Sequence, residues 1–155
     1  MNYLRFALIL ALFTFTNTVY GQKNSQEEGI KKAINSLFDG MRKSDSTLMR
    51  SAFNQGAILQ TIVKTKAGNN EVRSTDLNLF ISSIGKPHSS VYDERIVFTK
   101  ILIDDGLASV WTDYKFYISD KFSHCGVNSF QLVKIGAEWK ITYLIDTRRK
   151  ENCNP

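Results

Sequence analysis

Only two cysteines, two prolines and two histidines occur in the 155 residues, and each scarcity removes a class of function. His88 and His124 have no cysteine or carboxylate at ligand spacing, which argues against a structural or catalytic zinc site. No phosphate-binding glycine loop, dinucleotide fingerprint or nucleophile elbow is present, so no cofactor is expected. Basic residues outnumber acidic ones by only 20 to 15, and Arg148-Arg149-Lys150 is the single basic run. A nucleic-acid partner would ask for basic residues gathered on one face between aromatics, and none is expected. Long apolar stretches are also lacking, with one exception at the N-terminus.

That exception has the form of an export signal. Met1 to Arg5 carries one positive charge, and Phe6 to Phe15 is apolar apart from Thr14. Such a run suits the h-region of a signal peptide. Polar Thr16, Asn17 and Thr18 follow too soon for a membrane span, which needs about twenty apolar residues. Val19-Tyr20-Gly21 then supplies tolerable cleavage-site residues before Gln22. The expectation is a signal peptide over 1–21, one domain over 22–155, a periplasmic or secreted location, and no membrane attachment after cleavage. Removing Arg5 with the leader leaves 19 basic residues against 15 acidic ones. No cysteine follows the h-region, so a lipoprotein anchor is excluded. In an exported chain the even pair Cys125 and Cys153 is expected to form a disulfide, two free thiols being the alternative. Its 28-residue loop would stabilise by about 3–4 kcal/mol on the chain-entropy view.

The remaining chain reads as helices first and strands afterwards, which indicates an α+β domain. Ile30, Ala33, Ile34, Leu37, Phe38 and Met41 recur at helical spacing. Asp45 can cap a second, short helix carrying Leu48, Met49, Ala52 and Phe53. A strand over 57–64 ends before the turn residues Gly68-Asn69-Asn70. Ser74, Thr75 and Asp76 then form a capping cluster for a third helix with Leu77, Phe80, Ile81 and Ile84. Gly85 suits a left-handed cap there, and Pro87 cannot continue the helix. From Val91 onward the segments 91–103, 107–118, 122–134 and 139–147 are rich in β-branched and aromatic residues. Short separators make them an antiparallel meander; Asp104-Asp105-Gly106 is one such turn, not a carboxylate pair for chemistry.

This order of elements resembles the NTF2-like (SnoaL-like, putative lumazine-binding) superfamily. So do Ala108-Ser109-Val110-Trp111, Phe130-Gln131-Leu132-Val133-Lys134 and the closing Trp139-Lys140-Ile141. His124-Cys125-Gly126-Val127-Asn128 with Asp146-Thr147-Arg148-Arg149 resembles an exported subgroup of it. The resemblance covers roughly residues 26 to 150. It implies an NTF2-like cone, with N-terminal helices packed on a strongly bent, mostly antiparallel sheet. A pocket inside the cone and frequent dimerisation through the convex face are also implied. It implies no single activity, because the superfamily includes isomerases, dehydratases, cyclases, transport factors and assembly modules.

Strand alternation predicts which residues face the pocket. With the last turn centred on Gly136-Ala137, Phe130 opposes Tyr143, Asn128 opposes Ile145 and Gly126 opposes Thr147. A three-residue turn at Ser119-Asp120-Lys121 puts Tyr114 opposite Gly126 and Thr112 opposite Asn128. The concave face is then apolar at one end, through Ala108, Val110, Leu132 and Ile141. Thr112, Tyr114, His124, Asn128 and Tyr143 stand toward the other as candidate ligand-binding residues. His124 is the candidate general acid or base, since an imidazole titrates near neutrality; the plainer reading is a strand histidine with a structural hydrogen bond. Glu94 and Arg95 fall near the rim. Asp146 and Arg148, two apart on the convex side, read as a surface ion pair. Trp111 on that side is the expected anchor of a homodimer.

With no evident proton-transfer pair, the leading expectation is a domain that encloses a small, largely apolar ligand. The alternatives are an isomerase- or dehydratase-type enzyme using His124 with Tyr114 or Asn128, or a homodimeric scaffold built on Trp111. A cone without a cavity above roughly 300 Å³ would favour the scaffold.

Overall fold

A computed structural model describes residues 24–153; the expected signal peptide lies outside the described residues. Helix α1 runs over residues 24–43, and its apolar stripe from Ile30 to Met41 is buried. Ser44 ends it in a left-handed conformation (φ 54°). Asp45 then caps α2 (Ser46–Ser51), accepting the Leu48 N–H at 2.9 Å. Asp76 does the same for α3 (Leu77–Ile84), accepting from Leu79 N–H at 2.8 Å. Gly85 follows α3, but not as a left-handed cap, since its φ is −81°. Its reason is contact: a Cβ there would lie 2.6 Å from Ser46 Cα.

The strands are β1 (Phe53–Lys64), β2 (Asn70–Thr75), β3 (Tyr92–Asp104), β4 (Leu107–Ile118), β5 (Lys121–Ile135) and β6 (Glu138–Thr147). They form one sheet in the order β2-β1-β6-β5-β4-β3, antiparallel except where β1 runs parallel to β6. Sequence reasoning missed β2. Its residues Asn-Glu-Val-Arg-Ser-Thr are all exposed, so no alternation of apolar and polar residues marks it, and only pairing with β1 makes it a strand.

Ala108, Val110, Phe130, Leu132 and Ile141 from one sheet face pack on Ile30, Ile34, Leu37 and Phe38 of α1. The Phe38 and Phe130 rings meet edge to face, 6.2 Å between centroids. Each such side chain contributes roughly 1.5–3 kcal/mol by leaving water. Helices on the concave face of an open, curled sheet make this an α+β fold. Trp111 lies on the other face and is 49% exposed.

Two register predictions met different outcomes. Between β4 and β5, Tyr114 does oppose Gly126 and Thr112 does oppose Asn128. The turn itself is two residues, Ser119-Asp120, and an irregularity between Phe116 and Tyr117 restores the expected pairing. Between β5 and β6 the expected register holds only from Ile135↔Glu138 to Leu132↔Ile141. A bulge at Thr142 then shifts it by one, so Phe130 pairs with Leu144 and Asn128 with Asp146. A shift of one residue exchanges the faces of every later side chain. Tyr143 therefore leaves the predicted pocket and donates instead to Gln60 Oε1 at 2.7 Å. The expected Asp146–Arg148 ion pair does form, at 3.0 Å, but Asp146 turns into the cone while Arg148 stays 55% exposed at its rim.

Candidate functional site

Between the helices and the concave sheet lies a cavity of about 270 Å³. Its apolar wall comes from Leu37, Phe38 and Met41 of α1, Phe80 and Ile84 of α3, and Leu59 and Leu144 of the sheet. Its polar wall comes from the strands: Thr61, Glu94, Tyr114, His124, Asn128, Asp146 and, just past β6, Arg148. Alone, the cavity falls short of the roughly 300 Å³ at which drug-sized ligand sites begin, because side chains fill much of the cone. It shares Phe116, His124 and Arg148 with a second, more open depression of about 470 Å³, but the cone cavity itself stays below the size set above, which counts toward the scaffold alternative.

Of the residues singled out in the sequence, Tyr114, His124 and Asn128 line this cavity. Thr112 lies among the buried core residues, its Oγ1 without a hydrogen-bond partner among the described residues. Cys125 and Cys153 are joined as a disulfide, with Cα atoms 5.8 Å apart.

The polar wall holds three separate hydrogen-bonded groups. Asn128 Nδ2 donates to Glu94 Oε1 at 2.7 Å. Asp146 accepts from Thr61 Oγ1 at 2.5 Å through Oδ1 and from Arg148 Nε at 3.0 Å through Oδ2. The Tyr114 hydroxyl has one proton, and its 2.8 Å contact with the Thr147 carbonyl competes with a weaker 3.3 Å approach to Asp146. His124 Nδ1 meets Ser123 Oγ at 3.1 Å, and its ring lies edge-on to Tyr114 at 5.7 Å.

This packing separates the protonation behaviour of neighbouring groups. Burial, helped by the nearby Asp146 carboxylate, pushes Glu94 up to about 7, although the Asn128 hydrogen bond opposes the shift. Tyr114 is also raised, by burial and then by Glu94 and Asp146. Burial lowers His124, as does the Arg148 charge, so its ring is neutral at pH 7. Burial opposes the Arg148 charge, but Asp146 more than offsets this and raises the guanidinium. Sequence reasoning found no evident proton-transfer pair and placed Glu94 at the rim; here Glu94, raised to about 7, lies near the Asp146 carboxylate. Its signal was present in the sequence, since Glu94, Ile96 and Phe98 alternate on one face. For Asp146 and Arg148 there was none, because the bulge at Thr142 decides their side.

Glu94 has a consequence for stability. Its folded-state value of about 7 lies above the ordinary 4.5. Below pH 4.5 both folded and unfolded chains hold the proton, and between 4.5 and 7 only the folded chain does. Stability therefore falls across that window and stays reduced above it. The penalty is about 2 kcal/mol, allowing for the partial exposure of Glu94. Glu94→Gln keeps the acceptor for Asn128 without the charge. Thermal melts should show it about 6 °C more stable than the parent at pH 8 and equal to it at pH 4. A lower melting temperature at pH 8 would show that the ionised carboxylate stabilises this site.

No family model matches the chain, and no curated protein matches it. Solved structures do. The chain is similar to an NTF2-like protein of unknown function from Shewanella baltica, with 17% identity over 81% of this chain and 95% of that one and a TM-score of 0.61. A second, from Methylobacillus flagellatus, has 16% identity over 80% and 92% with a TM-score of 0.59. A domain of unknown function with a cystatin-like fold from Nostoc punctiforme has 12% identity over 81% and 78%, also at 0.59. The chain has the NTF2-like fold.

Proposed function

We propose that this domain binds a small ligand inside the cone. One observation carries this reading: an apolar wall faces the polar side chains of Glu94, Asn128, Asp146 and His124 across one half-open cavity. Apolar walls supply affinity and a few fixed polar groups supply orientation. The volume corresponds to about nine waters at ~30 Å³ each, which limits the enclosed part of the ligand to about a dozen non-hydrogen atoms. The Cys125–Cys153 bridge supports the expectation that the domain works in an oxidising compartment after export.

Native mass spectrometry of protein purified without denaturation tests the reading. A defined extra mass, lost on denaturation, is expected on the parent and absent from Leu144→Trp, whose indole would occupy the cavity. The filled variant should remain folded, at a cost of about 1–3 kcal/mol. The same extra mass on Leu144→Trp would place the ligand elsewhere.

A second reading, a proton-transfer enzyme of the isomerase or dehydratase type, is favoured specifically by Glu94. Held near pH 7 in the cavity wall, a carboxyl can take a proton from a bound substrate and return it. With Glu94 as base, kcat/KM should rise with pH through about 7. Glu94→Gln should lower turnover about 100-fold while leaving affinity within a few-fold. Equal loss in His124→Ala with none in Glu94→Gln would transfer the role to His124.

A further inference from the structure

The cavity shares part of its wall with an outer depression. Phe116, His124 and Arg148 also line the outer depression, whose remaining walls are Ile118, Ser123, Arg149 and Lys150. Carboxylates line the inner chamber, through Glu94 and Asp146, but none lines the outer one. The Arg148 charge is largely engaged by Asp146 at 3.0 Å. Those of Arg149 and Lys150 are not so engaged: Arg149 donates through Nε only to the Asn152 carbonyl at 3.0 Å. Lys150 makes no hydrogen bond or ion pair among the described residues.

The backbone that carries these cations is held in place. Arg149 exchanges both backbone hydrogen bonds with Cys125, at 2.8 and 2.9 Å, and the disulfide from Cys125 to Cys153 fastens the segment beyond it. The basic run therefore lines an outer depression that shares Phe116, His124 and Arg148 with the apolar cavity. His124, neutral at pH 7, stands at the junction as a hydrogen-bonding group without a charge of its own.

We propose that the ligand is a small amphipathic acid, with its apolar body in the cone and its anionic head in the outer chamber against Arg149 and Lys150. This rests on the ligand-binding reading above and adds the ligand's charge. An anionic head placed there gains two cations unopposed by any lining carboxylate, and a guanidinium can hold a carboxylate through paired hydrogen bonds. A cationic head would meet like charge at the same point, and an uncharged one would gain little.

Octanoate, 1-octanol and octylammonium, which differ only in the head, provide the test by isothermal titration on the disulfide-intact protein. Octanoate should bind about tenfold more tightly than octanol at low salt, and the preference should shrink in 0.5 M sodium chloride, where the Debye length falls to about 4 Å. The double variant Arg149→Gln/Lys150→Gln should bring octanoate down to the octanol level and leave octanol affinity unchanged. Both side chains lie at the surface end of the chamber, and an unchanged melting temperature would confirm that the variant folds. Equal binding of octanoate and octanol to the parent overturns the anionic head but leaves the cavity reading intact. Tightest binding of octylammonium overturns it in favour of selection by Glu94 and Asp146. Failure of all three to bind at millimolar concentration overturns both readings together.

Discussion

Gly126→Ala should cost about 4 kcal/mol or more, or prevent folding, the largest effect expected of any single methyl group in this chain. The backbone torsion at Gly126 is ordinary; contact is the reason. A Cβ there would lie 1.8 Å from the Thr147 carbonyl oxygen, 2.9 Å from its carbon and 2.8 Å from the Tyr114 ring. The first two are backbone atoms of β6, so no rotamer change relieves the clash. The strands must part at the point where Thr147 accepts the Tyr114 hydroxyl. Because Asp146 and Arg148 flank Thr147, their positions are lost as well. Urea unfolding of the variant would measure the effect. A loss under 1 kcal/mol would mean that β6 yields easily there, and that the polar wall is less fixed than its hydrogen bonds imply.

Removing the disulfide comes next. Cys125→Ala/Cys153→Ala should lower stability by about 3 kcal/mol, from the freedom returned to an unfolded chain no longer closed over 28 residues. Cys125 is 1% exposed, so alanine also leaves a small void in place of the sulfur. The effect should be unequal along the chain. Amide exchange at Arg149, whose N–H bonds the Cys125 carbonyl at 2.9 Å, should accelerate more than exchange at Phe130 in the core. Unchanged urea midpoints for the variant and the oxidised parent would remove the bridge from the account of how the outer chamber is held.

The parts of this fold legible in the sequence are those where burial imposes a period. The α1 stripe and the caps before α2 and α3 followed from spacing, and the β4–β5 register is one that burial enforces, because a slip would expose Val110, Phe130 or Leu132 to water. The β4–β5 pairing survived even a misjudged turn, since an irregularity between Phe116 and Tyr117 compensated for it. What escaped had no such constraint. The polar edge strand β2 buries nothing. The bulge at Thr142 sits between residues that would be acceptable on either face, so no pattern announces it. Yet that bulge decides the candidate site. It removes Tyr143 from the cavity and brings Asp146 into its wall, close enough to raise Glu94, while the ion pair with Arg148 persists at the rim. Polar residues selected for a site break the alternation that locates everything else. Glu94 shows the intermediate case: its parity was readable, but its surroundings depended on Asn128 and Asp146 arriving from other strands.

The central claim is that a ligand occupies the cone. Amide chemical-shift mapping with a panel of small fragments of about twelve non-hydrogen atoms or fewer tests it most directly. Fragments that bind in the cone should move the amides of Leu37, Leu59, Asn128 and Leu144 together. Shifts confined to the convex face around Trp111, with those cavity amides unmoved throughout the panel, would contradict it and make the sheet's outer surface the working part of the molecule.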